Sequence, residues 1–351
     1  LSQGPEDRPY SLTGAASIDL GKAMRFDAVL KARQLDLDRS IGKGPNEPAS
    51  VEIASSAVVK GLAELPVPSI PGRIGFDIPG IVIGGSVIQN LRFDAVTADN
   101  GWKIEELGAD LPGRTRLAAD GVVTTVPKAT FDGAVRIVSD QPTTFAAWWR
   151  GGKIAAMPQL RAFEMNGQLH LAPGSVAISG MTAQMQDSDL NGGLRWQQAA
   201  SGGRRNLSVD LTADRLDYNQ LVALTELFAG RSLSNTGALA DDFQIKVATD
   251  ALDIDDITLE KVVADGSLSN GVLVAKKLSI GNVAGAAISA SGRVADLTGA
   301  PNGQLSVSVD ASDLTGSAAL VERLLPGSAI AGWFKTAAPL LGPAILDTVV
   351  N

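Results

Sequence analysis

"NLSVDLTADRLDYNQL", residues 206–221, holds two periods back to back. Through Ala213 it alternates, with Leu207, Val209, Leu211 and Ala213 on one phase and Asn206, Ser208, Asp210 and Thr212 on the other. Successive side chains of a strand point to opposite faces, so this half predicts a strand with one apolar and one wet face. From Arg215 the run "RLDYNQLVALTELF" changes period and predicts a short amphipathic helix.

The same junction recurs. In "GQLSVSVDASDLTGSAALVERLLPG" (303–327), Leu305, Val307 and Val309 alternate with Ser306, Ser308 and Asp310 before a helix-like "SAALVERLL". In "GKAMRFDAVLKARQLDLDRSIG" (21–42), Met24, Phe26, Ala28 and Leu30 share a phase opposite Arg25, Asp27 and Lys31. A looser copy is "FDGAVRIVSDQPTTFAAWWRGG" (131–152). Between junctions the chain runs strand, glycine turn, strand. Residues 90–123, with Leu91, Phe93 and Ala95 on the apolar phase, match the rhythm of 256–294, with Ala286, Ile288 and Ala290. Residues 163–196 keep it too, with "APGS" as the hairpin turn.

Units spaced roughly 70 to 105 residues apart divide the chain into 1–62, 63–160, 161–230, 231–326 and 327–351. The Pro-rich 64–80 and the Ser/Gly-rich 231–242 read as loops between units, because proline is excluded from central strands. The expected fold is mostly β: an elongated antiparallel repeat sheet with a few short helices. Composition agrees, with 45% hydrophobic residues, only 5% aromatic and 38 glycines in 351.

Net charge is −8, and no basic cluster stands out, which argues against a nucleic-acid partner. There are no cysteines, so disulfides, thiolate metal sites and cysteine nucleophiles are excluded together. The opening "LSQGPEDRPY" has neither an initiating Met nor an apolar signal core, and is expected to belong to a fragment or processed chain. The C-terminal "SAIAGWFKTAAPLLGPAILDTVV" (328–350) carries Lys335 and Asp347 and is broken by Pro339 and Pro343. It reads as one or two short apolar helices, not a membrane span.

Nothing in the chain has the pattern of a catalytic, metal or cofactor site. The single histidine, His170, lies on the polar phase of "GQLHLAP", with no triad or metal partner suggested nearby. "DSDLNGGLRWQQ" (187–198) opens like a calcium loop with Asp187, Asp189, Asn191 and Gly192. It ends on Gln198 where a bidentate Glu is needed, so it reads as a hairpin turn. "DALDIDDITLE" (250–260) reads as a strand edge with wet carboxylates, and "IGKGPNE" (41–47) as a turn. Trp148 and Trp149 after Phe145 read as a plug for the end of a core.

The strand alternation, the strand–"LD"–helix junction, "GWKIEELGADLPG" (101–113) and "ERLLPGSAIAGW" (322–333) together resemble the AsmA-like, AsmA/TamB-type proteins of Gram-negative bacteria. The likeness is spread over nearly the whole chain. It implies a periplasmic segment of an outer-membrane biogenesis protein, tethered to the inner membrane through a segment outside this sequence. It also implies a sheet curled into an open groove that carries phospholipid or another acyl lipid between membranes, without enzymatic chemistry. On that reading the residues named on the apolar phases, from Met24 to Val309, line the groove.

From the residues alone the apolar face fits an open groove and a closed sandwich or β-helix equally. A scaffold offering sheet edges to outer-membrane proteins is the main rival function. Polysaccharide binding would need clustered aromatics and paired carboxylates, which the sequence does not clearly show.

Overall fold

The computed structural model describes residues 2–3, 10–21, 23–32, 34–41, 70–151, 160–185, 188–199, 204–229, 241–296, 302–311, 332, 336 and 344–350. Most of these are in strands, with three short helices among them. The chain forms two compact units, one of Leu1–Gln186 with Ala223–Arg231, the other of Asp187–Val222 with Ser232–Asn351.

The first unit holds β1 (Ser2–Gln3), β2 (Tyr10–Asp19), β3 (Arg25–Ala32), β4 (Leu35–Asp36) and helix α1 (Leu37–Ile41). It continues with β5 (Gly72–Ile83), β6 (Ser86–Ala98), β7 (Gly101–Leu111), β8 (Thr115–Thr124), β9 (Thr130–Ser139), α2 (Pro142–Trp149), β10 (Phe163–Ala172) and β11 (Ser175–Met185). Neighbours in sequence pair antiparallel from β5 to β11, while β3 and β4 pair with β5 in parallel. No pairing among the described residues joins the outer strands, so this sheet is open, not a barrel.

Elements of the second unit are β12 (Ser188–Gln197), β13 (Asn206–Asp217), β14 (Asp242–Ile254), β15 (Ile257–Ser269), β16 (Val272–Val283), β17 (Ala286–Ala295), β18 (Asn302–Ala311) and β19 (Ala344–Val350). Helix α3 (Tyr218–Ala229) follows β13 directly, its residues from Ala223 onward belonging to the first unit. β13 and β14 pair in parallel, and the remaining ladders are antiparallel.

The strand–helix junction now has a physical role. Two parallel neighbours cannot be joined by a tight hairpin; the chain must cross back, and a helix is the usual connection. The "LD" that precedes α1 and α3 starts each crossover. Asp36 Oδ1 accepts the amide of Arg39 at 3.1 Å, and Asp217 Oδ1 accepts those of Asn219 and Gln220 at 2.9 and 3.1 Å. Each aspartate therefore satisfies amides that have no partner within the helix. The sheet is mostly antiparallel, as expected, and these two places are its parallel exceptions. α2 differs, because β9 and β10 on either side of it pair antiparallel.

Strands β5 to β8 are repeated by β14 to β17 at a constant offset. Positive φ falls at Gly84 and Asp255, and at Asn90 and Lys261, each pair 171 positions apart. The β6–β7 and β7–β8 register shifts after Asp94 and Ile104 return at the same offset after Asp265 and Ala275. Buried Thr115 faces Ser139, their hydroxyls 2.7 Å apart, where the second unit sets Ala286 opposite Ala311. Such bulges bend the strand and sharpen its twist.

Four sequence expectations change. Residues 72–80, read as loop, belong to β5 with Pro79 inside it. Parallel pairing ends at Lys31–Asp77 and resumes at Leu35–Ile81, so the proline nitrogen falls in the gap between β3 and β4. From Ser188 the calcium-like string is strand β12. A Cβ on Gly192 would stand 2.0 Å from the carbonyl oxygen of Asp210, so that glycine allows the close approach of β13. Residues 344–350, expected to be helical, form β19: Ile345, Thr348, Val349 and Val350 are β-branched, and β18 offers its backbone edge. Finally, "DALDIDDITLE" is a hairpin, β14 turning at Asp255-Asp256 into β15. The expected helix at 317–325 and the loops 41–47 and 231–240 lie outside the described residues, apart from Ile41 at the end of α1.

Packing in the first unit is densest beneath its helices. Ile83, Phe145, Ala146, Trp148 and Leu160 form one buried cluster against Leu37, Ile88 and Leu111. Trp148 Nε1 donates to the Ile83 carbonyl at 2.8 Å, so the plug is also bonded to the sheet. Trp149 stays partly exposed.

Candidate apolar binding face

Directly opposed residues in a ladder point to the same face, so the register identifies which side chains share a surface. In the second unit Gly192, Leu211, Val247, Ala264, Leu278, Ala290, Val307 and Thr348 are opposed in turn from β12 to β19. This is one lateral row across eight strands with a single hydroxyl. Rows beside it add Val209, Ile245, Gly266, Ala275, Gly292 and Leu305.

An equivalent row crosses the first unit: Gly14, Leu30, Phe76, Phe93, Leu107, Ala119, Val135 and Gly167, from β2 to β10. A concavity of about 450 Å³ is lined by Leu107, Ala119, Val135 and Gly167 together with Glu105, Glu106, Asp120 and Arg136. Its counterpart on β16 to β19, about 480 Å³, is lined by Leu278, Ala290, Val307 and Thr348 together with Lys276, Lys277, Asp347 and five serines.

The sequence-selected residues fall on these faces with differing access. Phe26, Ala28, Leu30, Leu91 and Phe93 are half-buried in the first unit, as are Leu207, Val209, Leu211, Ile288, Ala290, Leu305, Val307 and Val309 in the second. Ala95, Ala213 and Ala286 are buried and leave no room for a ligand; Met24 precedes β3 and is 51% exposed. Sequence reasoning missed the intervening strands, above all Phe76, Val247, Ala264 and Leu278. The signal was present but broken, since the apolar phase switches parity at Asn90 and Lys261.

The reverse face is wet and ion-paired. Lys246 lies opposite Asp210, with Nζ 3.3 Å from the carboxylate, and Arg136 reaches Glu164 at 2.9 Å. The Arg73 guanidinium, hydrogen-bonded by Asp94, titrates above its ordinary range. At the head of β14, burial pushes the Asp242 carboxyl up, but hydrogen bonds from the Asn270 amide, Arg204 and Ser269 outweigh it. The net result is a carboxyl held below the usual range.

Elsewhere the chemistry is sparse. His170 does have a partner, contrary to expectation: its Nδ1 lies 2.5 Å from Asp132 Oδ1, directly across the ladder. Both side chains are exposed, and the ladder neighbours beyond them, Ala177 and Val122, carry no nucleophile. Asp253 binds Arg215 and the Thr258 hydroxyl. Among the described residues no group of His, Asp or Glu could hold a metal, and no helix is long and apolar enough to cross a membrane.

No protein-family model, curated protein or solved structure matches this chain.

Proposed function

We propose that the chain is a lipid-handling segment of the AsmA-like type, which shields acyl chains from water along its apolar faces and performs no covalent chemistry. The observation that carries this reading is the row from Leu211 to Val307. It is apolar and continuous, yet Ile245 and Leu278 beside and within it remain 38% and 40% exposed. An ordinary core would bury them. Each methylene that moves from water onto such a face gains about 0.8 kcal/mol. The reverse face, where Lys246 meets Asp210, keeps the same sheet in contact with water. A periplasmic setting and a tether outside this sequence follow from the family likeness and form part of the proposal.

The test is mass spectrometry of an organic extract of the purified protein. Phospholipid at a fixed ratio to protein is the expected result. An extract free of lipid would favour the scaffold that presents sheet edges to outer-membrane proteins.

A further inference from the structure

The repeat permits a comparison in which the backbone is constant and the side chains vary. Ile74 and Ile245 occupy equivalent positions, as do Leu107 and Leu278, 171 residues apart in each case. The residue types are identical, yet the first of each pair is half-buried and the second exposed. The difference must therefore come from neighbours.

Ile74 is opposed by Ala28 and Ala95, but the positions around it and beside Leu107 are aromatic in the first unit. Phe76 and Phe93 pack with ring centroids 5.7 Å apart, and Phe26 meets Trp102 edge-on at 6.4 Å. Phe26 also lies across Gly72, where a Cβ would come within 2.2 Å of its ring. Phe93 is directly opposite Leu107 and shields it. The filling is tight enough to bury the indole nitrogen of Trp102 with no hydrogen-bond partner among the described residues. In the second unit the equivalent positions hold Leu207, Val247, Ala264 and Leu273. Here Ala264 is the residue opposite Leu278.

We propose that the acyl chain rides on the second unit, across β13 to β16, in the space that four aromatic side chains fill in the first. This rests on the lipid-handling reading and assigns it to one place. The occupant's chemistry is given by what replaces it in the other copy: side chains that are apolar, unbranched at the surface and about one ring thick. A saturated or singly unsaturated hydrocarbon chain meets that description. In the first unit a concavity lies beyond Phe93, from Leu107 to Gly167, and holds the buried Val135.

The test loads the full chain from vesicles of phosphatidylethanolamine and phosphatidylglycerol, then measures lipid per protein after gel filtration. Val247→Phe with Ala264→Phe copies the first unit's residues onto the matching backbone, and Ala264→Leu is a milder filling. Both should lower retained lipid, the pair by about tenfold, as expected for losing roughly two methylene contacts. Phe93→Ala should not lower it. Thermal melting identifies any variant that fails to fold, in which case the milder filling decides. Undiminished lipid in the filled variants, or a loss confined to Phe93→Ala, overturns the assignment while leaving lipid handling intact. A wild type that takes up no lipid overturns both.

Discussion

The buried carboxylate of Asp38, in the first turn of α1, accepts the amide of Gly84 at 2.8 Å across 46 residues of sequence. Its second oxygen accepts Gly85 at the same distance. Both glycines have positive φ, 61° and 72°, the signature of the two-residue turn that joins twisted antiparallel strands. One side chain thus ties the crossover helix to the tip of the next hairpin. The second unit repeats the tie with other atoms, as Asn219 Nδ2 donates to Asp255 Oδ1 at 3.2 Å.

Removing the Asp38 carboxylate should therefore loosen the turn from the helix. Asp38→Ala leaves two amides without their charged acceptor and should cost about 2–4 kcal/mol in urea unfolding of the first unit. Asp38→Asn keeps one acceptor oxygen and should cost less. Hydrogen exchange at Gly84 and Gly85 should accelerate in both variants. Unchanged exchange would mean that the turn is held by its own backbone.

The capping aspartates make a matched pair. Asp36→Ala and Asp217→Ala should each destabilise by about 1 kcal/mol, and Asn at either site should restore most of that. Because the two caps serve equivalent crossovers, similar values are expected. A cost at only one site would show that the other helix is fixed by packing alone.

These junctions were legible in the sequence because they are local. A cap, a period change and an apolar alternation each span a few residues, so residues 206–221 could be read directly as strand and helix. The 171-residue repeat was only half visible. The first copy contains two unlike strand–helix junctions, one between parallel strands and one between antiparallel strands, and the shorter spacing counts both. The Pro79 strand was hidden because its proline sits in a gap between β3 and β4 that only the pairing reveals. The acid-rich 187–198 looked like a turn because Gly192 is there for a close strand approach, which composition cannot distinguish from a bend. The role of Phe76 and Phe93 needed both copies to be superposed, strand on strand.

Acid stability should report on Asp242. Its carboxyl is held below the ordinary value by Asn270, Arg204 and Ser269 acting against burial. The unfolded chain therefore takes up this proton first. The stabilisation is present above the ordinary carboxylate pKa, about 3.9, and is lost as pH falls through the lower folded value. Asp242→Asn should be less stable at neutral pH and show a shallower fall in melting temperature below about pH 4. Parallel pH profiles for variant and wild type would contradict this.

The apolar face can be separated from ordinary core by placing one charge on either side of the same strand. Val209 and Val307 lie on the apolar face of the second unit, and Ser208 and Ser306 are one residue away on the reverse face. Val209→Asp and Val307→Asp put a carboxylate where acyl chains would lie, and an unpaired charge there costs several kcal/mol once water is excluded. Without ligand the half-exposed positions stay in contact with water, so stability should fall only modestly. Ser208→Asp and Ser306→Asp should be nearly neutral in both respects. Retained lipid and melting temperature, measured on all four variants, decide the matter. Lost lipid with a small change in melting supports an open lane. Unfolding of the inward pair, from a wild type that carries no lipid, would identify the row from Leu211 to Val307 as the interior of a closed core.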